Sequence, residues 1–108
     1  MLEHIIMDDI QTLWQQHRAA GFPSACCGVE IEGTDLVLLD ADTAGCVQTF
    51  LARDGELDLW RVATLALCYR ELAIVVRVLQ GEGRDYFARL ENLSRLVLRA
   101  VADRPRKT

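Results

Sequence analysis

One segment, residues 57 to 80, constrains the fold of this chain more than any other, because it is apolar on nearly every side of a helix. Asp58 is a candidate N-cap at its start. Projected at about 100° per residue, one apolar side consists of Trp60, Ala63, Leu67, Ile74 and Val78. A second side consists of Leu65, Leu72, Val76 and Leu79, with Cys68 and Val75 beside them. A surface helix needs only one apolar stripe, so this helix is either the central helix of the core or carries a contact surface.

Charges limit the environments in which such a helix can function. Arg61, Arg70, Glu71 and Arg77 interrupt the segment, so it lacks the long uncharged run of a membrane span. The net charge of −4 argues against nucleic acid as a partner, because nucleic-acid binding needs a basic face. The first residues, MLEHIIMDD, carry acids where a secretory leader carries bases. We therefore expect a cytoplasmic protein, and eleven arginines against one lysine point to a GC-rich bacterial genome.

Two helices are predicted before this segment. The first has an apolar stripe of Leu2, Ile6, Ile10, Leu13, His17 and Ala20. It ends at Gly21-Phe22-Pro23, where Gly21 suits a left-handed cap. The second helix, of roughly three turns, is capped by Asp40 or Asp42, and replacing a cap by alanine costs about 1 kcal/mol. Its apolar stripe is Cys46, Val47, Phe50 and Leu51, and Asp54-Gly55 ends it.

The last helix completes a single domain over residues 1–108. Gly81 and Gly83 break the chain after the long apolar helix. The last helix then runs from about Arg84 or Asp85 to Asp103. Residues 103–108, which contain Arg104, Arg106 and Lys107, are expected to form a frayed basic tail.

A short hairpin is predicted between the first two helices. Cys27, Val29 and Ile31 alternate with polar residues or glycine, which is the pattern of a half-buried strand. Residues 32–34, Glu-Gly-Thr, form a turn, and the apolar run 36–39 is predicted to be the second strand. The fold class is therefore α+β and predominantly helical, with four helices and a two-stranded antiparallel hairpin between helix 1 and helix 2. Because a lone hairpin is marginal in water, it must pack against the helices.

The four cysteines and two histidines do not have the spacing of a metal site. Cys26 and Cys27 are adjacent, whereas structural zinc sites pair cysteines at C-x2–4-C. His4 and His17 lie on different faces of the first helix. We therefore predict no metal and no cofactor, with Cys27, Cys46 and Cys68 as small core side chains. Cys26 is the best candidate for a reactive thiol, and His17 is its candidate partner.

The stretch LVLLDADTAG resembles the nucleophile loop of the haloacid dehalogenase-like phosphatases. The resemblance implies a nucleophile at Asp40 and a general acid at Asp42. It covers about five residues and departs from the family's DxDx[TV] pattern at Ala44, because Thr43 stands one position early. The chain is also too short for that family's doubly wound core. Capping of a helix explains Asp40 and Asp42 more simply.

The sequence therefore favours a small cytoplasmic, non-enzymatic interaction domain that forms a homodimer through its apolar central helix. Val75 is predicted to be an outward position, at which glutamate would give folded monomers. Two alternatives remain open. One is an acidic inhibitor or immunity-type protein that meets a basic partner. The other is a small enzyme or ligand binder that uses Cys26, Asp40 and Asp42 around a pocket beside the hairpin.

Overall fold

A computed structural model describes residues 2–104 of the chain, and their side chains from residue 6 onward. The predicted fold class is confirmed: the described residues form four α-helices, with a short antiparallel hairpin between the first two. The helices are α1 (Leu2–Ala19), α2 (Leu36–Ala52), α3 (Leu59–Val78) and α4 (Gly81–Asp103). A 3₁₀ turn (Ser24–Cys26) precedes the hairpin strands β1 (Glu30–Ile31) and β2 (Thr34–Asp35). None of the described helices is long and apolar enough to cross a membrane.

The central helix is α4, which contacts α1, α2 and α3. Its buried stripe includes Phe87, Leu90 and Leu93, each fully buried. The apolar helix α3 packs against α2 and α4 and therefore lies at one side of the molecule. This differs from the central position that its composition predicts, and it leaves one long side of α3 without a covering helix.

The apolar run 36–39 is not a strand, so that prediction is wrong. It forms the first turn of α2, with Leu36 and Leu39 buried and Val37 and Leu38 exposed, a helical rather than an alternating pattern. The N-cap is Asp35, whose side chain accepts a 3.1 Å hydrogen bond from the backbone N–H of Leu38. The predicted caps at Asp40 and Asp42 are therefore also wrong, because both residues lie inside the helix. A short apolar run fits a strand and a buried helical turn equally well.

The hairpin itself is shorter than predicted and lies against the helices. Glu30 pairs with Asp35 and Ile31 with Thr34. The turn has positive φ at Glu32 (48°) and Gly33 (81°), which matches the type I′ turn preferred in two-residue hairpins. The Thr34 hydroxyl donates a 3.0 Å hydrogen bond to Glu71 of α3. The hairpin is thus anchored beside the middle of α3.

The helix boundaries follow several of the predicted signals. Asp58 caps α3 through a 3.3 Å bond from the Arg61 N–H, and Asp54-Gly55 ends α2 with φ of 55° and 90°. Gly21 is not left-handed, and Gly83 lies inside α4 rather than breaking it. The backbone is extended at Leu79 and Gln80, and α4 starts directly after them at Gly81.

Of the predicted tail, residues 105–108 lie outside the described residues. Asp103 is the last residue of α4. Arg104 donates a 3.1 Å hydrogen bond to the Asp54 carbonyl and lies 3.6 Å from the Glu56 carboxylate. The end of α4 is therefore attached to the loop between α2 and α3.

Candidate functional site

The sequence-predicted pair of Cys26 and His17 does not form. Cys26 lies in the core with only 3% of its surface exposed, whereas its neighbour Cys27 is exposed. The sequence predicts the reverse. Burial raises the pKa of the Cys26 thiol, and the adjacent Cys27 raises it further. A buried thiol with a raised pKa lacks the thiolate character of a nucleophile. The 3₁₀ turn explains the reversal, because the period-two rule for strands does not apply to it.

His17 pairs with Asp40 instead. The Nε2 atom of His17 lies 3.3 Å from Asp40 Oδ1, and because a carboxylate only accepts, Nε2 carries the hydrogen. The Tyr86 hydroxyl donates a 2.9 Å bond to the same oxygen. These three side chains come from α1, α2 and α4, and we call them the polar triad.

Aromatic rings enclose the polar triad. The rings of His17 and Tyr86 have centroids 4.4 Å apart, Trp14 stacks on His17 at 5.9 Å, and Phe22 meets Tyr86 edge-on at 5.5 Å. The side chains of His17 and Asp40 are only 5% and 21% exposed. Burial, together with the hydrogen bond to Asp40 and its charge, raises the pKa of Tyr86 well above its ordinary value.

This geometry makes the polar triad a connection between helices. Its histidine and tyrosine are buried, and Asp40 already accepts two hydrogen bonds at one oxygen. The Tyr86 phenol stays protonated, because its raised pKa disfavours the phenolate. One polar atom of the triad, His17 Nδ1, is buried without a hydrogen-bond partner among the described residues.

The phosphatase resemblance is not supported by the structure. Asp40 and Asp42 both lie within the first half of α2, and the residues directly before Asp40 form the first turn of that helix rather than a strand. Two residues apart on a helix, their side chains point about 200° apart, and Asp42 is exposed whereas Asp40 belongs to the polar triad. The predicted grouping of Cys26, Asp40 and Asp42 around one pocket is therefore absent. Sequence reasoning missed Tyr86, whose only signal was an aromatic residue on the apolar stripe of α4.

The remaining cysteines belong to the core between α2 and α3. Cys46 and Cys68 are 4% and 5% exposed, and burial raises the pKa of both thiols. The Cys46 thiol donates to the Arg61 carbonyl at 3.6 Å. Among the described residues, no group of three or more His, Cys, Asp or Glu side chains is placed to hold a metal ion.

A cleft of about 340 Å³ lies beside the polar triad. Glu82, Asp85 and Arg89 give it charged walls, and Tyr86 contributes one side. One guanidinium nitrogen of Arg89, Nη1, is buried without a partner within the described part of the chain. Both signs of charge are thus present, and among the described residues that line the cleft there is no Ser, Thr, Cys, His or Lys.

The most extended surface feature is a row of apolar side chains on the outer side of α3, which we call the α3 stripe. Its members and their exposed fractions are Leu59 75%, Trp60 79%, Leu67 58%, Ile74 41% and Val78 55%. The opposite side of the helix is core, because Leu65, Leu72 and Val75 are fully buried. The prediction that Val75 points outward is therefore wrong, and the outward position next to it is Ile74.

The α3 stripe is large for a protein of this size. With roughly 150–250 Å² for a fully exposed large apolar side chain, the exposed fractions of its five members correspond to on the order of 450–750 Å². Contiguous apolar patches on monomers seldom exceed about 300–600 Å², and the larger ones are often functional. Val37 and Leu38 add exposed apolar surface at the start of α2. The Thr34–Glu71 hydrogen bond holds this end of α2 beside the middle of α3.

Comparison of the chain with models of known protein families, with curated proteins and with solved structures found no significant match.

Proposed function

We propose that the chain is a non-enzymatic protein-interaction domain, and that it acts by binding a second copy of itself through the α3 stripe. The observation that carries the proposal is the exposure of Trp60 and Leu67, at 79% and 58%, on a helix whose other side is fully buried. Leaving this surface in water is unfavourable by about 25 cal/mol per Å².

The size of the stripe fits a stable dimer. A standard interface buries about 800 Å² on each partner, and in homodimers about 65% of that area is apolar. An interface of this kind needs roughly 500 Å² of apolar surface per partner, and the α3 stripe offers that amount. Arg61, Arg70 and Arg77 on the same helix would form part of the polar rim that surrounds such an interface.

The four cysteines support a reducing compartment as the place of action. All four are free thiols in the structure, and disulfides are rare where glutathione and thioredoxin keep thiols reduced. Together with the arginine-rich composition, this supports the bacterial cytoplasm as the location.

Sedimentation equilibrium at micromolar concentration tests the proposal. We expect wild type at twice the chain mass of 12.1 kDa, and Leu67→Glu as a folded monomer with an unchanged circular dichroism spectrum. Ala102→Glu is the matched control, because it places the same charge at an exposed site on α4 and should remain dimeric. A wild-type monomer at 100 μM, a concentration at which any functional dimer with a Kd of about 1 μM forms, would overturn the proposal.

Salt distinguishes a dimer held by the apolar α3 stripe from one held by charged groups. An apolar contact keeps its strength between 0.1 and 1 M NaCl, because screening acts on charges. We therefore expect an unchanged or tighter dimer in 1 M NaCl. A dimer that dissociates steeply with salt would show that charge, rather than the α3 stripe, drives association.

A further inference from the structure

We propose that the cleft beside the polar triad binds a free amino acid with a cationic side chain, whose carboxylate pairs with Arg89 and whose two cations pair with Asp85 and Glu82. The cleft is walled by the end of α1, the loop that follows it and the first turns of α4. It is therefore separate from the α3 stripe, and the proposal goes beyond self-association. Its volume of about 340 Å³ lies at the lower end of the range of small-molecule sites, about 300–1,000 Å³.

The observation that carries the proposal is the unpaired guanidinium of Arg89, which lines the cleft. Its Nη1 atom is buried without a hydrogen-bond partner among the described residues, and Arg89 belongs to none of the ion pairs formed there. A buried polar group is costly when it is left unpaired, and a charged one more so. A carboxylate matches a guanidinium best, because it accepts two parallel N–H bonds. Arg89 therefore favours a ligand that carries a carboxylate.

The carboxylate of Asp85 does not supply this partner. Asp85 stands four residues before Arg89 on α4, which is the order and spacing at which an acid and a base pair on a helix. Both side chains line the cleft, yet within the described part of the chain no ion pair joins them. An ammonium group next to a carboxylate, as in every α-amino acid, would bridge the two.

The excess of negative charge in the cleft indicates a second cation on the ligand. Glu82 precedes Asp85 by three residues, so the two side chains are neighbours on α4, and it lies about 10 Å from Arg89 along the helix axis. The lining residues thus carry two carboxylates and one guanidinium, which match a ligand with two cations and one carboxylate. Ala20 and Gly21, in another wall, follow the C-terminal end of α1, whose negative partial charge also favours a cation.

Three probes of similar length test the ligand class on the wild-type protein. L-Lysine carries all three charges, L-norleucine lacks the side-chain cation, and 1,5-diaminopentane lacks the carboxylate. Each is titrated into nitrogen-15-labelled protein at neutral pH, and the amide shifts are followed by NMR. We expect L-lysine to shift the amides of residues 82–89 saturably with a Kd of about 1 mM, and the other two probes to bind about threefold or more weakly, the effect of losing one exposed ion pair.

Two results would overturn the proposal. One is the absence of saturable shifts with L-lysine at about 50 mM, well above the expected Kd. The other is a Kd for L-norleucine or 1,5-diaminopentane equal to that of L-lysine, because the missing group would then play no part in binding. The oligomeric state enters neither result, so a monomeric wild type would remove the proposed function and leave this inference standing.

Two arginine variants locate the binding site. Arg89→Gln removes the guanidinium, and we expect the Kd for L-lysine to rise by about fivefold or more, the effect of losing a charged hydrogen bond. Arg99→Gln is the matched control, because it removes the same charge from an exposed position farther along α4 and should leave the Kd unchanged. Equal Kd values in the two variants would contradict the proposal. The comparison of the three probes needs no variant and decides the question if Arg89→Gln does not fold.

Discussion

The Tyr86 hydroxyl and the Asp40 carboxylate form a 2.9 Å hydrogen bond that joins α4 to α2 across 46 residues of sequence. His17 of α1 contacts the same carboxylate oxygen. Three of the four helices therefore meet at one half-buried acid. A buried polar group is costly when it lacks a partner, so this contact favours the one packing of α1, α2 and α4 in which all three side chains meet.

Replacing Asp40 should lower the stability of the protein far more than replacing Asp42. Asp40→Ala leaves Tyr86 and His17 buried without their shared acceptor, and we expect it to lower the free energy of unfolding by about 1–3 kcal/mol. Asp42→Ala is the control, because Asp42 is exposed on the same helix. An exposed substitution of this kind changes stability by at most about 0.5 kcal/mol. Urea unfolding monitored by circular dichroism measures both, and equal losses would contradict the structural role of Asp40.

Alkaline pH should destabilise the protein partly through Tyr86. The pKa of Tyr86 is raised by burial and by Asp40 above its ordinary value of 10.0. Because the folded pKa exceeds the unfolded one, the stabilising contribution is complete below pH 10 and falls as the pH rises above it. We expect the urea midpoint of wild type to fall more steeply between pH 10 and 11 than that of Tyr86→Phe. Parallel curves would show that Tyr86 ionises equally easily in both states.

The sequence predicts α3 well because its signals are local. Asp58 is followed by a long apolar run, and its carboxylate caps the helix as expected. The turn at Glu32-Gly33 is likewise local, because the glycine supplies the positive φ that a tight hairpin requires. The four apolar residues 36–39 carry no such signal, since they fit a strand and a helix equally well.

The polar triad was not predictable, because nothing local relates its members. His17 lies on an apolar stripe, Tyr86 lies on another, and only the packing of α1 and α4 around α2 brings them to Asp40. The α3 stripe was half predictable. Spacing alone places Trp60, Leu67, Ile74 and Val78 on one side of the helix but does not include Leu59. Only the packing of α2 and α4 on the other side shows which side faces solvent.

Thiol labelling should distinguish the two adjacent cysteines. Cys27 is exposed and the other three thiols are buried, and burial raises the pKa of Cys26, Cys46 and Cys68. Because alkylation needs the thiolate, we expect one fast-reacting thiol per native chain and four in urea. The Cys27→Ser variant should lose the fast reaction. Fast labelling that survives in this variant would instead show that one of the three buried thiols is accessible and reactive.

A close contact between Gly83 and Cys26 should make stability depend on both residues together. A Cβ atom at position 83 would lie 3.0 Å from Cys26 Sγ, closer than the two atoms pack comfortably. In a helix, alanine is favoured over glycine by up to about 1 kcal/mol, but a forced contact in a packed core costs about 1–3 kcal/mol. We therefore expect Gly83→Ala to destabilise the protein as a single change.

The same substitution should become stabilising once the sulfur is removed. In a Cys26→Ala background the added methyl group has room, so only the helix preference of alanine remains. A double-mutant cycle measured by urea unfolding gives the coupling between the two sites, which for contacting residues is about 0.5–3 kcal/mol. If Gly83→Ala changed stability by the same amount in both backgrounds, Cys26 would not be the side chain that requires glycine at position 83.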